Sequence, residues 1–287
     1  MVPAPRLRPA AVAGTWYPGT AHALTREVDR YLEQVPSRPR FEVRAVIVPH
    51  AGLIYSGPVA AHAYRAVAGH AFDVAVLVGP SHFAAFEGVA LYAAGGFETP
   101  LGTIPIAESV ATALAAASPR IAPETAPHAR EHCLEMQLPF LARVLPGIPI
   151  VPLLMGYQVR ETIAELARAL AKVLEGRRAL LVASSDLSHY FDAQTAGSLD
   201  GRVIDLVGRF DAEGLLDEME SYPEHERGRF VACGAGPAVS VMQAARSLGA
   251  REAQVLRYAD SGDVSGDKGA VVGYLAAAFG TVTNGTV

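Results

Sequence analysis

The chain has 287 residues, of which 51% are hydrophobic and 18% charged, so it can bury a core and has too little charge for a disordered protein. Its 24 basic and 29 acidic residues give a net charge of −5 and are scattered, which excludes nucleic acid as the main partner. No apolar run reaches the roughly 18 residues of a membrane span, and the N-terminal one is too short for a signal peptide, so we expect a cytoplasmic protein without membrane contact.

Short apolar runs alternate with helical patterns along the chain. The predicted buried strands cover 44–48, 74–78, 148–154, 179–183 and 270–274. The predicted helices cover 57–67, 131–145, 160–174, 196–208 and 234–248. Nearly continuous apolar strands alternating with helices are typical of a sheet that is covered on both faces. The sequence therefore predicts an α/β fold with one domain over residues 1–287, a mixed and largely parallel sheet, and helices on both faces.

Three of these strands run into a histidine. His50 follows the first strand, His82 the second, and His189 the strand at 179–183. Because ligands of open α/β sheets gather outside the carboxyl ends of the strands, we expect these three imidazoles to share one crevice. Asp186 precedes His189 by three residues, a spacing that suits a general acid/base pair, although an aspartate here can also cap the next element.

Cys233 is the candidate sulfur ligand for such a crevice. It lies in a turn of small residues before a predicted helix, where backbone N–H groups and the helix dipole favour a thiolate. Two imidazoles and a thiolate are a ligand set for borderline and soft metals. Cys133 has no comparable setting, and we expect it to be structural; the alternative for Cys233 is also a small buried residue.

Several other polar residues are candidates for the surroundings of the site. Glu131, His132 and Glu135 form a polar edge at the start of the helix predicted at 131–145, where Glu135 can accept the N–H of a metal-bound histidine or bind the metal itself. The alternative is a first helical turn that faces solvent. The glycine-rich segment 261–269 lacks a phosphate-loop pattern and is typical of a tight turn between two strands, with Asp263 able to line the crevice.

Two further interpretations use some of the same residues. His128 to His132 satisfies the H-x-x-E-H pattern of zinc peptidases, in which two histidines one helical turn apart hold zinc. Alternatively, Cys233 acts without a metal as a nucleophile, with His189 as its base.

The chain resembles the Memo family, which includes the AmmeMemoRadiSam system protein B of bacteria and archaea. The resemblance runs almost from end to end and rests on several motifs in the same order. These motifs are AGTWYP at 13–18, PHAGLIYSGPVAAHAY at 49–64, GPSH at 79–82, EHCLEMQLPF at 131–140, SSDLSHY at 184–190, CGAGP at 233–237 and YADSGDVSGDKGAVVGY at 258–274.

The resemblance implies a fold like that of the LigB-type class III extradiol dioxygenases, which are non-heme iron enzymes. It implies that His50, His82 and Cys233 hold the metal ion, with Asp186 and His189 beside them. A cysteine stands where the dioxygenases have a carboxylate ligand, so iron or copper is expected, with zinc also possible, and ring-opening activity does not carry over with the fold.

Two classes of function follow from these residues and this resemblance. The first is a metal-dependent redox protein, an oxidoreductase that acts on a small molecule. The second is a binding module without turnover that holds a peptide or a partner protein in the same crevice. The family resemblance also implies AMMECR1-like and radical SAM proteins as partners.

Overall fold

The computed structural model describes residues 7–36 and 41–282. Its strands are β1 (Leu7–Arg8), β2 (Phe41–Val48), β3 (Val74–Pro80), β4 (Val89–Leu91), β5 (Gly96–Thr99), β6 (Gly102–Pro105), β7 (Ile121–Pro123), β8 (Ile150–Met155), β9 (Ala179–Ser184), β10 (His189–Phe191), β11 (Glu252–Asp260) and β12 (Val271–Val282). Its α-helices are α1 (Ala21–Glu33), α2 (Leu53–Val67), α3 (Glu108–Ala117), α4 (Leu138–Val144), α5 (Arg160–Leu174), α6 (Ala193–Gly208), α7 (Ala212–Glu220), α8 (Arg227–Phe230), α9 (Ala235–Ser247) and α10 (Gly262–Ser265). Short 3₁₀ helices cover Ala126–His128, Glu135–Gln137 and Glu224–Glu226.

The large sheet has the order β10-β12-β2-β9-β3-β8-β4-β7, with β11 paired to β12. Its four central strands, β2, β9, β3 and β8, are parallel, whereas β12 and β4 join them in antiparallel pairs. The apolar runs of β3, β8 and β9 are buried along their whole length because helices cover both faces. The predicted mixed α/β sheet is confirmed.

The helices form two groups around the sheet. Helices α1, α2 and α4 pack on one another, and α2 lies against β2 and β12. Helices α5 and α7 pack on α9, which lies against β9, β3 and β2. In α5 the residues at intervals of three and four are buried, as the amphipathic pattern predicts. A small second sheet, β1-β5-β6, was not predicted from the sequence.

Two predicted elements differ from the structure. The helix predicted over 131–145 begins only at Leu138, after a turn and the 3₁₀ helix. Pro139 is the physical reason, because proline has no N–H to donate and its ring collides with the carbonyl four residues earlier. The final strand is much longer than the predicted 270–274, because its alanine-rich second half lies between β2 and β11, where tertiary pairing overrides a helical propensity.

Segment 261–269 connects the two last strands of the large sheet, as predicted, and includes the short helix α10. Within the described residues, no helix has the length and apolarity needed to span a bilayer.

Candidate metal centre

The carboxyl ends of adjacent parallel strands bring the predicted histidines together. β2 and β3 flank β9, so the loops that follow β2 and β3 meet above the end of β9. His50 lies in the first loop and His82 in the second. Cys233 approaches from the turn before α9, which packs beneath the same strands. Residues far apart in sequence therefore face one small volume, as the topology of an open α/β sheet predicts.

The donor atoms of His50, His82 and Cys233 all lie within 4.8 Å of one another. The Cys233 Sγ is 3.3 Å from the His50 Nε2. A tetrahedral ion with a bond of about 2.3 Å to sulfur and 2.0 Å to nitrogen separates these two atoms by about 3.5 Å. The residues present therefore fit a metal ion with three protein ligands, with no large rearrangement of the side chains.

The hydrogen bonds of His50 leave one ring nitrogen free to act as a ligand. The hydroxyl of Ser184 donates to the Cys133 carbonyl (2.7 Å) and accepts from the Gln137 amide (2.9 Å). That hydroxyl must therefore accept from the His50 Nδ1–H, which lies 2.9 Å away. Because Nδ1 is used by Ser184, the Nε2 of His50 is the nitrogen that faces Cys233 and is available to a metal ion.

Glu131 fixes the orientation of His82. Its Oε1 lies 2.9 Å from the His82 Nδ1, and its Oε2 accepts the backbone N–H of His82 at 2.7 Å. Burial raises the pKa of the Glu131 carboxyl, but hydrogen bonds and charge from His82 outweigh this effect and hold the pKa well below its usual value. An ionised carboxylate behind a ligand histidine is the usual way of setting its tautomer.

Glu135 does not take the position beside the ligands that was expected of it. Its carboxylate is fully buried and pairs with Arg8 at 2.5 Å, accepts the Tyr17 hydroxyl at 2.6 Å, and accepts the backbone N–H groups of Ala11 and Val12. Glu135 therefore anchors the N-terminal segment, and Glu131 orients the ligand histidine.

The thiol of Cys233 is activated by its neighbours. Burial raises its pKa, but charge and hydrogen bonds from His50 and His82 outweigh burial and lower the pKa to about 6. The backbone N–H of Asp186 also donates toward the Sγ at 3.3 Å. The expected thiolate character is present, with the two histidines as its main cause. Cys133 is fully buried and donates to the Pro80 carbonyl, in keeping with a structural residue.

Asp186 contacts two of these ligand residues through hydrogen bonds. The Asp186 carboxylate accepts the backbone N–H of His50 at 2.7 Å, so its hydrogen bond goes to the ligand loop and not to the imidazole of His189. His189 begins β10, and its Nδ1 is buried without a hydrogen-bond partner. The next residue, Tyr190, has a φ of 63°, a left-handed conformation that is costly for a tyrosine and is concentrated at functional sites.

His132 forms a wall of the crevice. Its ring lies 4.3 Å from that of Trp16 and 4.6 Å from that of His82, measured between centroids. Burial lowers the pKa of His132 to about 3, so the ring is neutral at physiological pH. The wall position agrees with the crevice role expected for this residue.

Two other predicted residues lie apart from this group. The Asp263 carboxylate pairs with Lys268 at 2.6 Å and accepts the backbone N–H of Asp260, so it stabilises the turn around α10. The Nε2 of His128 lies 3.1 Å from the Ala90 carbonyl. His128 ends a 3₁₀ helix and no helix runs from it to residue 132, so the zinc-peptidase interpretation, which needs both histidines on one helical turn, is wrong.

Sequence reasoning missed four residues that support the site. Ser184 and Gln137 set the tautomer of His50, whereas Arg8 and Trp16 attach the N-terminal segment to the wall around His132. Ser184 is the last residue of the buried strand β9, a position that could have suggested a contact with the crevice. Arg8 carried no such signal, because an arginine near a chain end is ordinarily exposed.

The fold and the His-His-Cys cluster define an α/β protein with a candidate metal centre at the carboxyl edge of its sheet. The profile of the Memo family, described as "Memo-like protein", matches residues 8–278. The chain belongs to the Memo family.

Curated relatives and a solved structure extend this comparison. A MEMO1 family protein of Methanosarcina mazei is 38% identical over 273 residues, covering 94% of this chain and 98% of that protein. A MEMO1 family protein of Methanothermobacter thermautotrophicus is 36% identical over 280 residues, which cover 93% of this chain and 98% of that protein. The crystal structure of the uncharacterized protein JW3007 from Escherichia coli K12 is similar in fold, with a TM-score of 0.56 and 14% identity over 82% of this chain and 99% of that chain.

Proposed function

We propose that this Memo family protein is a metal-dependent redox protein, with an iron or copper ion held by His50, His82 and Cys233. The observation that carries the proposal is the convergence of the three donor atoms within 4.8 Å, with the Nε2 of His50 facing the Cys233 sulfur. A thiolate donor favours softer metal ions than the ions that bind to sites made only of oxygen ligands. We therefore prefer copper or iron as the bound ion. A bound ion of this kind would exchange electrons with a substrate in the crevice.

The residues around the ligands suit this function. His189 has a buried ring nitrogen without a hydrogen-bond partner and follows Asp186 by three residues, so it is the candidate for taking a proton from the substrate and returning it. Burial raises the pKa of Asp186, and that carboxyl fixes the loop of His50 through its hydrogen bond to the backbone. Asp186 therefore acts through His50 as a positioning residue in this proposal.

The test is the metal content of purified protein, measured by elemental analysis for iron, copper and zinc. Wild type should carry close to one ion at this site per chain, and Cys233→Ala should lose it. Cys133→Ala is the matched control, because it removes a thiol outside the donor cluster and should keep the ion. Equal and negligible metal in wild type and Cys233→Ala would remove the basis of the proposal.

A binding module for a peptide or small molecule is the second candidate, and exposed aromatic side chains favour it. Trp16, Tyr55, Phe83 and Tyr190 are all large and exposed. Trp16 and Phe83 lie in turns beside His132, whereas Tyr55 lies in the first turn of α2 and Tyr190 in β10 next to His189. Aromatic rims of this kind bind ligands with apolar and planar groups. Ligand binding that survives replacement of both His50 and His82, with no O₂ consumption on catechols or thiols, would favour this candidate over the redox protein.

A further inference from the structure

We propose that His82, Glu131 and His132 form a second cation site that shares His82 with the first. The donor atoms of these three residues lie within 4.8 Å of one another. The Nδ1 of His82 faces Glu131, which leaves the other nitrogen of the same ring for the ion at Cys233. The imidazole of His82 would thus bridge two ions, one on each nitrogen.

The distances fit one ion among the three residues. The Glu131 Oε1 lies 2.9 Å from the His82 Nδ1 and 3.2 Å from the His132 Nδ1. In a four-coordinate site with bonds of about 2.0 to 2.1 Å, neighbouring donor atoms are about 3.3 Å apart. The side chains therefore need to separate by only a few tenths of an ångström to admit the ion.

His132 supplies an independent sign of a missing ligand. The residue is 7% exposed, and its Nδ1 is buried beside Glu131 but makes no hydrogen bond. A buried polar atom without a partner is costly, and native structures contain few of them. The stacking of the ring between Trp16 and His82 holds this nitrogen toward the carboxylate. A cation would coordinate this nitrogen, which the carboxylate approaches at 3.2 Å without making a hydrogen bond.

Hydrogen bonds from backbone N–H groups fix the orientation of the Glu131 carboxylate. Its Oε1 accepts the N–H groups of His132 (2.9 Å) and Cys133 (3.1 Å), and its Oε2 accepts the N–H of His82. Because these bonds fix the carboxylate in the free protein, little side-chain freedom is lost when an ion binds. To orient His82, Glu131 needs only the contact between its Oε1 and the His82 Nδ1. That role does not explain why the His132 Nδ1 lies beside the same oxygen.

The chemistry of the donors indicates the class of cation. Two imidazole nitrogens and one carboxylate oxygen suit borderline divalent ions such as Zn²⁺ and Fe²⁺, whereas the set with Cys233 is softer. The second ion takes the place of the proton on the His82 Nδ1, so its binding releases that proton. The Cys233 thiolate, the Glu131 carboxylate and the bridging imidazolate together supply three negative charges against the four positive charges of two divalent ions.

Zinc stoichiometry tests this inference, with bound Zn²⁺ measured per chain by equilibrium dialysis and elemental analysis. Wild type should bind two equivalents, Glu131→Gln and Cys233→Ala one each, and the double variant none. Glu87→Gln is the matched control, since Glu87 is an exposed carboxylate outside the cluster, and it should keep two. His132→Gln should also bind one, so the test stands even if Glu131→Gln fails to fold.

The outcomes separate this inference from the proposed function. One equivalent in wild type that Cys233→Ala loses and Glu131→Gln keeps would overturn the second site alone, leaving Glu131 as the residue that orients His82. One equivalent that Glu131→Gln loses and Cys233→Ala keeps would support the second site and contradict the proposed one. Absence of bound zinc from wild type would overturn the second site, and the iron and copper contents of wild type and Cys233→Ala would then decide the proposed function separately.

Discussion

Arg8→Met tests the attachment of the N-terminal segment to the wall of the crevice. Arg8 and Glu135 form an ion pair in which the side chains are 3% and 0% exposed. The substitution keeps an apolar stem but removes the positive charge that pairs with Glu135 among the described residues, and Glu135 then retains the Tyr17 hydroxyl and two backbone N–H donors. Breaking a buried pair by removal of one partner costs about 3 to 5 kcal/mol.

Further hydrogen bonds of Arg8 to backbone carbonyls add to the expected loss of stability. Its guanidinium also donates to the carbonyls of His128 and Glu131, which lose their donor in the variant. We therefore expect the free energy of unfolding to fall by about 4 kcal/mol, a large share of the stability of a typical protein of about 5 to 15 kcal/mol. Urea unfolding of the metal-free protein, followed by circular dichroism, measures this difference.

Two companion variants make the result interpretable. Arg178→Met removes one partner of an exposed pair with Asp73, and it should leave the free energy of unfolding nearly unchanged because water screens that pair. The double variant Arg8→Met/Glu135→Gln should be more stable than Arg8→Met alone, because the neutral amide leaves no unpaired charge buried and its oxygen still accepts a hydrogen bond from the N-terminal segment. A loss below about 1 kcal/mol in Arg8→Met, or a double variant less stable than the single one, would refute the reasoning.

Three further predictions concern the crevice. In metal-free protein, alkylation of Cys233 by iodoacetamide should rise with a midpoint near pH 6, because the thiolate forms above that pKa. Cys133 should stay unmodified, because burial raises its pKa. Peptide mass spectrometry measures both reactions, and a midpoint above pH 8 for Cys233 would contradict the prediction. Gly79→Ala should lower the free energy of unfolding, measured with urea, by about 1 to 3 kcal/mol, since a Cβ at this position would lie 2.6 Å from the Cys133 Sγ. Gly197→Ala is the control and should not lower it, because Gly197 lies on a helix with open space around it. Asp186→Ala should weaken metal binding about 10- to 100-fold in a chelator competition, because His50 loses the acceptor of its backbone N–H; an unchanged affinity would show that this bond does not position the ligand.

Much of the fold followed from the sequence where local pattern and tertiary structure agree. The helix predicted over 160–174 matches α5, and the runs at 74–78 and 179–183 lie within β3 and β9. These elements have clear periodicity or uninterrupted apolar character, so pattern alone identifies them. The short strands between residues 89 and 123 have only three or four residues each, and they depend on neighbours distant in sequence for their stability.

Part of the candidate site could also be predicted from the sequence, and part could not. That His50 and His82 meet Cys233 followed from strand ends and family motifs, because topology determines where loops converge. The choice of Glu131 over Glu135 as the partner of His82 could not be predicted, since it depends on the turn that replaces the first part of the predicted helix. The N-terminal contact through Arg8 depends on a pairing across more than 120 residues, which no local pattern reveals.

The most direct test of the central claim is a crystal structure of the metal-loaded protein with anomalous data at the iron, copper and zinc edges. The account predicts an anomalous peak about 2.3 Å from the Cys233 Sγ and about 2.0 to 2.1 Å from one nitrogen each of His50 and His82. An ion bound elsewhere, with the Cys233 sulfur outside its coordination sphere, would contradict the account.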